Sequence, residues 1–155
     1  MAFKILSALL AACALVAFAP SADAHGRMIA PIGRQGTTDG PIASLPCNGL
    51  PPGNTSVATF VAGKSTQISY VVTEFHGVGA TCFIDISAGT DDKNFRNIHT
   101  IEHCADFLGS YVTDVSFPTD ISGRATLRWF WHVPSINVTF ATCSDIDVVK
   151  PASSY

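Results

Sequence analysis

The sequence is poor in charge and lacks several patterns that mark common functional classes. Charged residues make up only 14% of the 155 residues, and the net charge is −3 with no basic patch, so no nucleic-acid partner is expected. Neither Cys-x-x-Cys nor His-Glu-x-x-His occurs, which argues against a four-cysteine zinc site and against a zinc protease. Helical periodicity is almost absent, and no internal repeat or low-complexity linker is visible.

Residues 1–24 have the pattern of a secretory signal peptide. Lys4 is followed by an apolar run from Ile5 to Phe18 and then by the small-x-small triplet Ala22-Asp23-Ala24. The apolar run is too short to cross a bilayer as a helix, so no membrane anchor is expected. Cleavage after Ala24 would make His25 the first residue of a secreted, extracellular protein.

The chain that remains after cleavage has the length of a single domain. Removing residues 1–24 leaves 131 residues, which we divide into a single domain at 25–150 and a short tail at 151–155. The net charge stays at −3 because Lys4 and Asp23 leave together, so overall charge gives no attraction to acidic polymers. We expect a monomer.

Alternating apolar and polar residues predict short strands along most of the chain. The predicted strands are Ser65–Phe75, Thr81–Ser87, Val112–Phe117, Arg124–Trp131 and Asp145–Val149. In the fourth of these, Ala125, Leu127, Trp129 and Trp131 are expected to face inward. The proline-rich residues 31–56 are expected to form a long ordered loop and Gly89–Lys93 a turn. This pattern indicates an all-β, immunoglobulin/fibronectin-III-like β-sandwich.

The stretch Asn94–Gly109 is the least regular part of the chain, and we expect it to hold a short helical turn. It contains His99 and His103, which stand four residues apart and would share one helical face. The two histidines are assigned to a surface helix or loop.

A histidine at the start of a chain offers three nitrogen atoms close together. The α-amino group and Nδ1 of His25 can close one chelate ring on a metal, and a second imidazole would complete a T of three nitrogens. Planar nitrogen donors suit Cu(II), although zinc also accepts imidazole. The α-amino pKa of about 7.7 to 8.0 makes deprotonation inexpensive near neutral pH. The alternative is that the cleavage site merely happens to precede a histidine.

Two segments of the sequence resemble one known family. The segment His25-Gly26-x-Met28-x-x-Pro31-x-x-Arg34 resembles the start of the lytic polysaccharide monooxygenases and their chitin-binding type 4 relatives. The segments Gly123–Trp131 and Thr139–Val148 resemble the penultimate strand and the ending of the same family. Together the matches bracket nearly the whole mature chain.

The resemblance implies one copper ion held by His25 and a second histidine. We assign the second ligand to His76, which follows a predicted strand and precedes a Gly-rich turn; a turn histidine bonded to backbone is the alternative. Phe140 matches the family's axial Tyr or Phe and cannot coordinate, although ordinary core packing would also explain it. Glu74 and His132 are candidates for positions next to the ligands.

The cysteines and sequons fit a secreted chain. Four cysteines remain after cleavage, and an even number in a secreted protein suggests two disulfides, with three pairings open from the sequence alone. The resemblance favours Cys47 with Cys143, which leaves Cys82 with Cys104. Two sequons predict glycosylation at Asn54 and Asn137.

The activity implied by the resemblance is a secreted, copper-dependent lytic polysaccharide monooxygenase. Such an enzyme takes a hydrogen atom from C1 or C4 of a glycosidic linkage, using an external electron donor and peroxide or oxygen. The substrate would be a cell-wall polysaccharide such as pectin, cellulose or chitin. Two alternatives stay open: a non-catalytic copper-binding protein of the same fold, used for copper capture or transport, and a metal-free carbohydrate-binding module. The short chain, the lack of an obvious Gln or Glu near the copper ligands and the lack of a row of exposed Tyr or Trp motivate the copper-binding alternative.

Overall fold

A computed structural model describes residues 26–36 and 45–152. Within these residues the chain forms strands, turns and loops only. The predicted signal peptide, His25 and the last three residues lie outside the described residues. The strands are β1 (Gly26–Ala30), β2 (Ala58–Val61), β3 (Ser65–Val72), β4 (Thr81–Ala88), β5 (Arg96–Glu102), β6 (Gly109–Ser116), β7 (Gly123–Val133) and β8 (Val138–Val149).

The strands form two sheets that pack as an immunoglobulin-like sandwich, as the sequence predicts. One sheet has the order β1-β3-β6 and the other has the order β2-β8-β7-β4-β5. All neighbours are antiparallel except β2 and β8, which are parallel. The sheets meet through ring contacts such as Tyr70 against Trp129, with centroids 5.3 Å apart.

The predicted inward face of β7 is confirmed. Ala125, Leu127, Trp129 and Trp131 all lie in the core, and both tryptophans are fully buried. Their neighbours across β8 continue the same face, since Trp131 pairs in register with Phe140. The aromatic side chains of the core are therefore concentrated near the end of β7 and the start of β8.

The expectation of a helical turn within Asn94–Gly109 is wrong. Most of this stretch is strand β5, which pairs with β4 in a register that sets Cys82 opposite Ile101 and Ile84 opposite His99. The strand lies at the edge of its sheet and is half-buried at most, so its sequence lacks a clean alternation. His99 thus lies in a strand, while His103 follows the strand with a left-handed backbone at φ 56°.

Both disulfides pair as the resemblance implied. Cys47 is joined to Cys143, and Cys82 is joined to Cys104. The first bridge connects two positions 96 residues apart and ties the long loop to β8, whereas the second spans 22 residues.

The described parts of the long loop, 31–36 and 45–57, pack against β8. Arg34 donates two hydrogen bonds to Asp145, at 3.0 and 2.8 Å, and two more to Asp92, at 2.6 and 3.0 Å. The backbone N–H of Gly53 also donates to Asp145, at 3.0 Å. These three charged side chains are almost fully buried. The loop is therefore fixed to the middle of β8 by a buried ionic cluster and a disulfide.

No helix in the described ranges is long and apolar enough to span a membrane.

Candidate functional site

Strand direction gathers several chain segments at one end of the sandwich. The first residue of β1, Gly26, pairs with Val72 at the end of β3. In the other sheet, the start of β4 pairs with the end of β7, and the end of β7 pairs with the start of β8. We call this the His76 end, because the loop 73–80 that joins β3 to β4 lies there.

The imidazole of His76 packs against two aromatic side chains of the core. Its ring is nearly parallel to that of Phe140, with centroids 5.4 Å apart and an interplanar angle of 9°. Its centroid is also 5.4 Å from that of Trp131, whose ring is tilted by 44°. Trp131 and Phe140 are buried, while His76 is half-buried. Two packed rings thus hold the imidazole at the rim of the core.

Gly26 begins β1 in tight contact with the same aromatic cluster. A Cβ at this position would lie 2.8 Å from the carbonyl oxygen of Val71 and 3.1 Å from Cη2 of Trp129. Trp129 in turn contacts Trp131, with centroids 6.0 Å apart. Glycine therefore lets the backbone of β1 approach Trp129, whose ring packs against Trp131 beside His76.

A depression of about 220 Å³ lies beside His76. Its wall is formed by the loop after β3 and by the turn between β7 and β8, through residues 76–80 and 133–135. The site therefore opens to solvent between these two connections.

Glu74 and His132, which the sequence analysis placed next to the ligands, lie in different parts of the structure. Glu74 lies in the same loop as His76 and is half-buried. His132 neighbours Trp131 in β7, so its side chain alternates to the opposite face of the sheet, where Nδ1 lies 3.4 Å from Oγ1 of Thr139. The structure brings His76 and Phe140 together, whereas His132 is on the other side of the sheet.

The two sequon asparagines are both exposed. Asn137 ends the turn between β7 and β8 at the His76 end, where its backbone N–H donates to the carbonyl of Pro134 at 3.2 Å. Asn54 lies in the long loop, and its carbonyl accepts a hydrogen bond from Arg124 at 2.9 Å. Neither asparagine lies within a strand, so each side chain is accessible for glycosylation.

Among residues 26–36 and 45–152, no three His, Cys, Asp or Glu side chains are grouped as a metal site. The resemblance requires only one ligand from these residues, His76, and takes the other nitrogens from His25. The surroundings of His76 fit that role, since imidazole is a good copper ligand and Phe140 fixes its plane without competing for a metal.

Comparison with solved structures identifies the architecture. The catalytic domain of a lytic polysaccharide monooxygenase from Listeria monocytogenes aligns with a TM-score of 0.61 at 14% identity, covering 81% of this chain and 99% of that one. An enzyme of the same kind from Streptomyces lividans aligns at 0.56 and 15% identity, over 79% and 99% of the two chains. This chain has the lytic polysaccharide monooxygenase fold. A chitin-binding domain from Burkholderia pseudomallei shares it, at a TM-score of 0.52 and 14% identity over 81% and 99%.

The resemblance drawn from the sequence motifs is thus confirmed at the level of the fold. No protein-family model matches the sequence, and no curated protein matches it.

Two residues of the site were not singled out from the sequence. Trp131 was predicted only as a core residue, although its ring contacts His76. Gly26 belongs to the opening motif, but the sequence did not indicate that its missing side chain allows the close contact with Trp129. The sequence signal for Trp131 was its inward-facing position at the end of a long predicted strand. The contact of Gly26 depends on the packing of β1, which the sequence did not predict as a strand.

Proposed function

We propose that the protein is a secreted, copper-dependent monooxygenase that cleaves a polysaccharide oxidatively. The observation that carries the proposal is His76, an imidazole held by Phe140 and Trp131 at the end of the sandwich where β1 begins. The lytic polysaccharide monooxygenase fold supports it.

In this proposal the chain is cut after Ala24, and His25 supplies its α-amino group and one ring nitrogen. His25 is one peptide bond away from Gly26, and consecutive Cα atoms are 3.8 Å apart. Gly26 is in turn packed against Trp129 at the His76 end. In this proposal both histidines bind one metal ion at the end of the sandwich where β1 begins.

Each side chain has a separate task. His25 and His76 bind copper, which when bound supplies one-electron redox chemistry toward oxygen or peroxide. Phe140 and Trp131 hold the His76 ring in place and exclude water from its inner side. The depression of about 220 Å³ beside His76 leaves the outer side open to a substrate.

The test is a search for oxidised oligosaccharides. The mature chain beginning at His25 is loaded with copper and incubated with a reductant, peroxide and cellulose, chitin or pectin, and the products are identified by mass spectrometry. We expect chain ends that carry a C1 or C4 oxidation, and we expect none from His76→Ala. Copper binding without oxidised products would favour a copper-capture protein of the same fold, and the absence of copper binding would favour a metal-free carbohydrate-binding module.

A further inference from the structure

Next to the depression beside His76, the protein exposes a group of large apolar side chains. Phe75, Val78, Phe107 and Leu108 form one shallow surface, which we name the apolar platform. Val78 and Phe107 have 76% and 75% of their surface exposed. Clustered exposure of large apolar side chains marks a contact surface in a folded protein.

The apolar platform is held by the loops beneath it. The N–H of Gly79 donates to Oδ1 of Asp106 at 2.7 Å, which connects the loop 73–80 to the loop after β5. The hydroxyl of Tyr111 accepts from the N–H of Phe107 at 2.9 Å and donates to its carbonyl at 2.6 Å. The disulfide of Cys104 fixes the same loop to β4. A surface held in this way loses little conformational entropy when it binds.

The apolar platform is continuous with the candidate site. Val78 lines both the platform and the depression beside His76. A chain lying along the platform would therefore pass His76 without leaving the surface. The described parts of the long loop, in contrast, pack along β8 through Arg34 and Asp145, so they do not build this surface.

The described residues that line the apolar platform include one carboxylate, that of Asp106, and no lysine or arginine. Asp106 lies within it, and hydrogen bonds from the N–H of Gly79 and then from His103 hold the pKa of the Asp106 carboxyl below its ordinary value. Glu102 ends β5 at the same end of the sandwich. The described lysines, Lys64, Lys93 and Lys150, lie beside strand ends at the opposite end of the sandwich, whereas Arg27 in β1 lies at the His76 end.

We propose that the apolar platform docks an uncharged polysaccharide, whose sugar rings lie on Phe75, Phe107 and Leu108 while a linkage reaches His76. This inference rests on the proposed function and narrows its substrate. The C–H faces of pyranose rings are apolar and pack well on phenyl rings and aliphatic side chains. Their hydroxyl groups can donate hydrogen bonds to Asp106. A polyuronate such as pectin would instead bring its carboxylates close to the carboxylate of Asp106, and like charges repel.

The test measures binding of the mature chain to insoluble polymers by depletion from solution. Phe107→Ala and Leu108→Ala are compared with Leu45→Ala, because Leu45 is 56% exposed and Leu108 is 61% exposed. We expect the parent chain to bind cellulose or chitin in low and high salt alike. We expect Phe107→Ala to bind about tenfold more weakly, and Leu45→Ala to bind as the parent does. Leu108→Ala keeps the test decisive should Phe107→Ala fail to fold.

Copper affinity is measured on the same samples to separate the two proposals. Lost polymer binding with unchanged copper affinity in the platform variants supports the docking role. Unchanged polymer binding in these variants overturns it, as does preferential binding of the parent chain to polygalacturonate or the absence of any polymer binding. In each of those cases a parent chain that still binds copper and releases oxidised sugars leaves the proposed function standing.

Discussion

The imidazole of His76 lies parallel to the phenyl ring of Phe140, 5.4 Å away and tilted by only 9°. Phe140 comes from β8, and His76 comes from a loop that joins the other sheet to β4. The contact therefore fixes a loop histidine relative to the most buried strand of the protein. Because a phenyl ring has no lone pair to offer a metal, Phe140 would orient the imidazole without competing for the copper ion that we propose at His76.

Phe140→Ala is expected to lower the free energy of unfolding by about 3 to 5 kcal/mol, because it leaves a cavity beside Trp131. Urea denaturation at neutral pH measures the change. Phe140→Leu keeps most of the volume and should cost clearly less. A loss below about 1 kcal/mol in Phe140→Ala would show that the ring is not packed as described.

Gly26→Ala is expected to destabilise the protein by about 1 to 3 kcal/mol, because its Cβ would overlap the carbonyl of Val71 and press on Trp129. Thermal and urea denaturation measure the effect. Ala30→Ser, at the exposed end of the same strand, is the control and should change stability by about 0.5 kcal/mol or less. Equal effects from the two substitutions would contradict the close approach of β1 to Trp129.

The two disulfides should contribute unequally. In the loop-entropy treatment, the bridge Cys47–Cys143 with its 96-residue separation stabilises by about 4.7 kcal/mol, and Cys82–Cys104 with its 22-residue separation by about 3.4 kcal/mol. Paired Cys→Ala variants of each bridge, compared by urea denaturation, measure the difference. If removal of Cys82–Cys104 lowered the free energy of unfolding more than removal of Cys47–Cys143, local structure and not loop closure would dominate the contribution of each bridge.

The buried cluster around Arg34 should make stability depend on acid pH. Burial opposes ionisation of Asp92, but hydrogen bonds from Arg34 and Thr126 hold the pKa of its carboxyl below the ordinary value. Since the folded pKa is the lower one, the unfolded chain takes up the proton first as pH falls. The stabilisation is complete above about pH 5 and is lost progressively below about pH 4.

Asp92→Asn is expected to be less stable than the parent at pH 7, with a difference that narrows toward pH 3. Urea denaturation across this range measures it, and Asp114→Asn, which changes an exposed carboxylate, serves as the control. Parallel curves for Asp92→Asn and the parent down to pH 3 would rule out the contribution of Asp92.

Arg34→Ala should lower the free energy of unfolding by about 3 to 5 kcal/mol at pH 7, because two buried carboxylates lose their partner.

The sequence predicted the fold where strands alternate clearly and missed it where edge strands do not. β7 was predicted down to the inward-facing Trp129 and Trp131, because both faces of the strand carry distinct residue types. β5 was mistaken for a helical turn, because a strand at a sheet edge need not alternate. β2 follows the proline-rich loop and is held by parallel pairing to β8, a long-range contact that local pattern does not reveal.

The candidate site was predicted in part for a similar reason. The family resemblance pointed to Phe140 and His76, and the structure stacks their rings. The apolar platform was not anticipated, because Phe75 and Phe107 lie in different loops that are brought together by the hydrogen bond from Gly79 to Asp106. Contacts between loops depend on the completed sandwich and leave no local signal.

The measurement that tests the central proposal most directly is a Cu(II) titration of the mature chain by calorimetry, with EPR of the complex. The chain starting at His25 is compared with a chain that carries one extra N-terminal residue and with His76→Ala. We predict tight one-to-one binding with a nitrogen-rich type 2 signal, lost in both comparison proteins. Weak binding, or equal binding by the extended chain, would contradict a copper site built on His25 and His76.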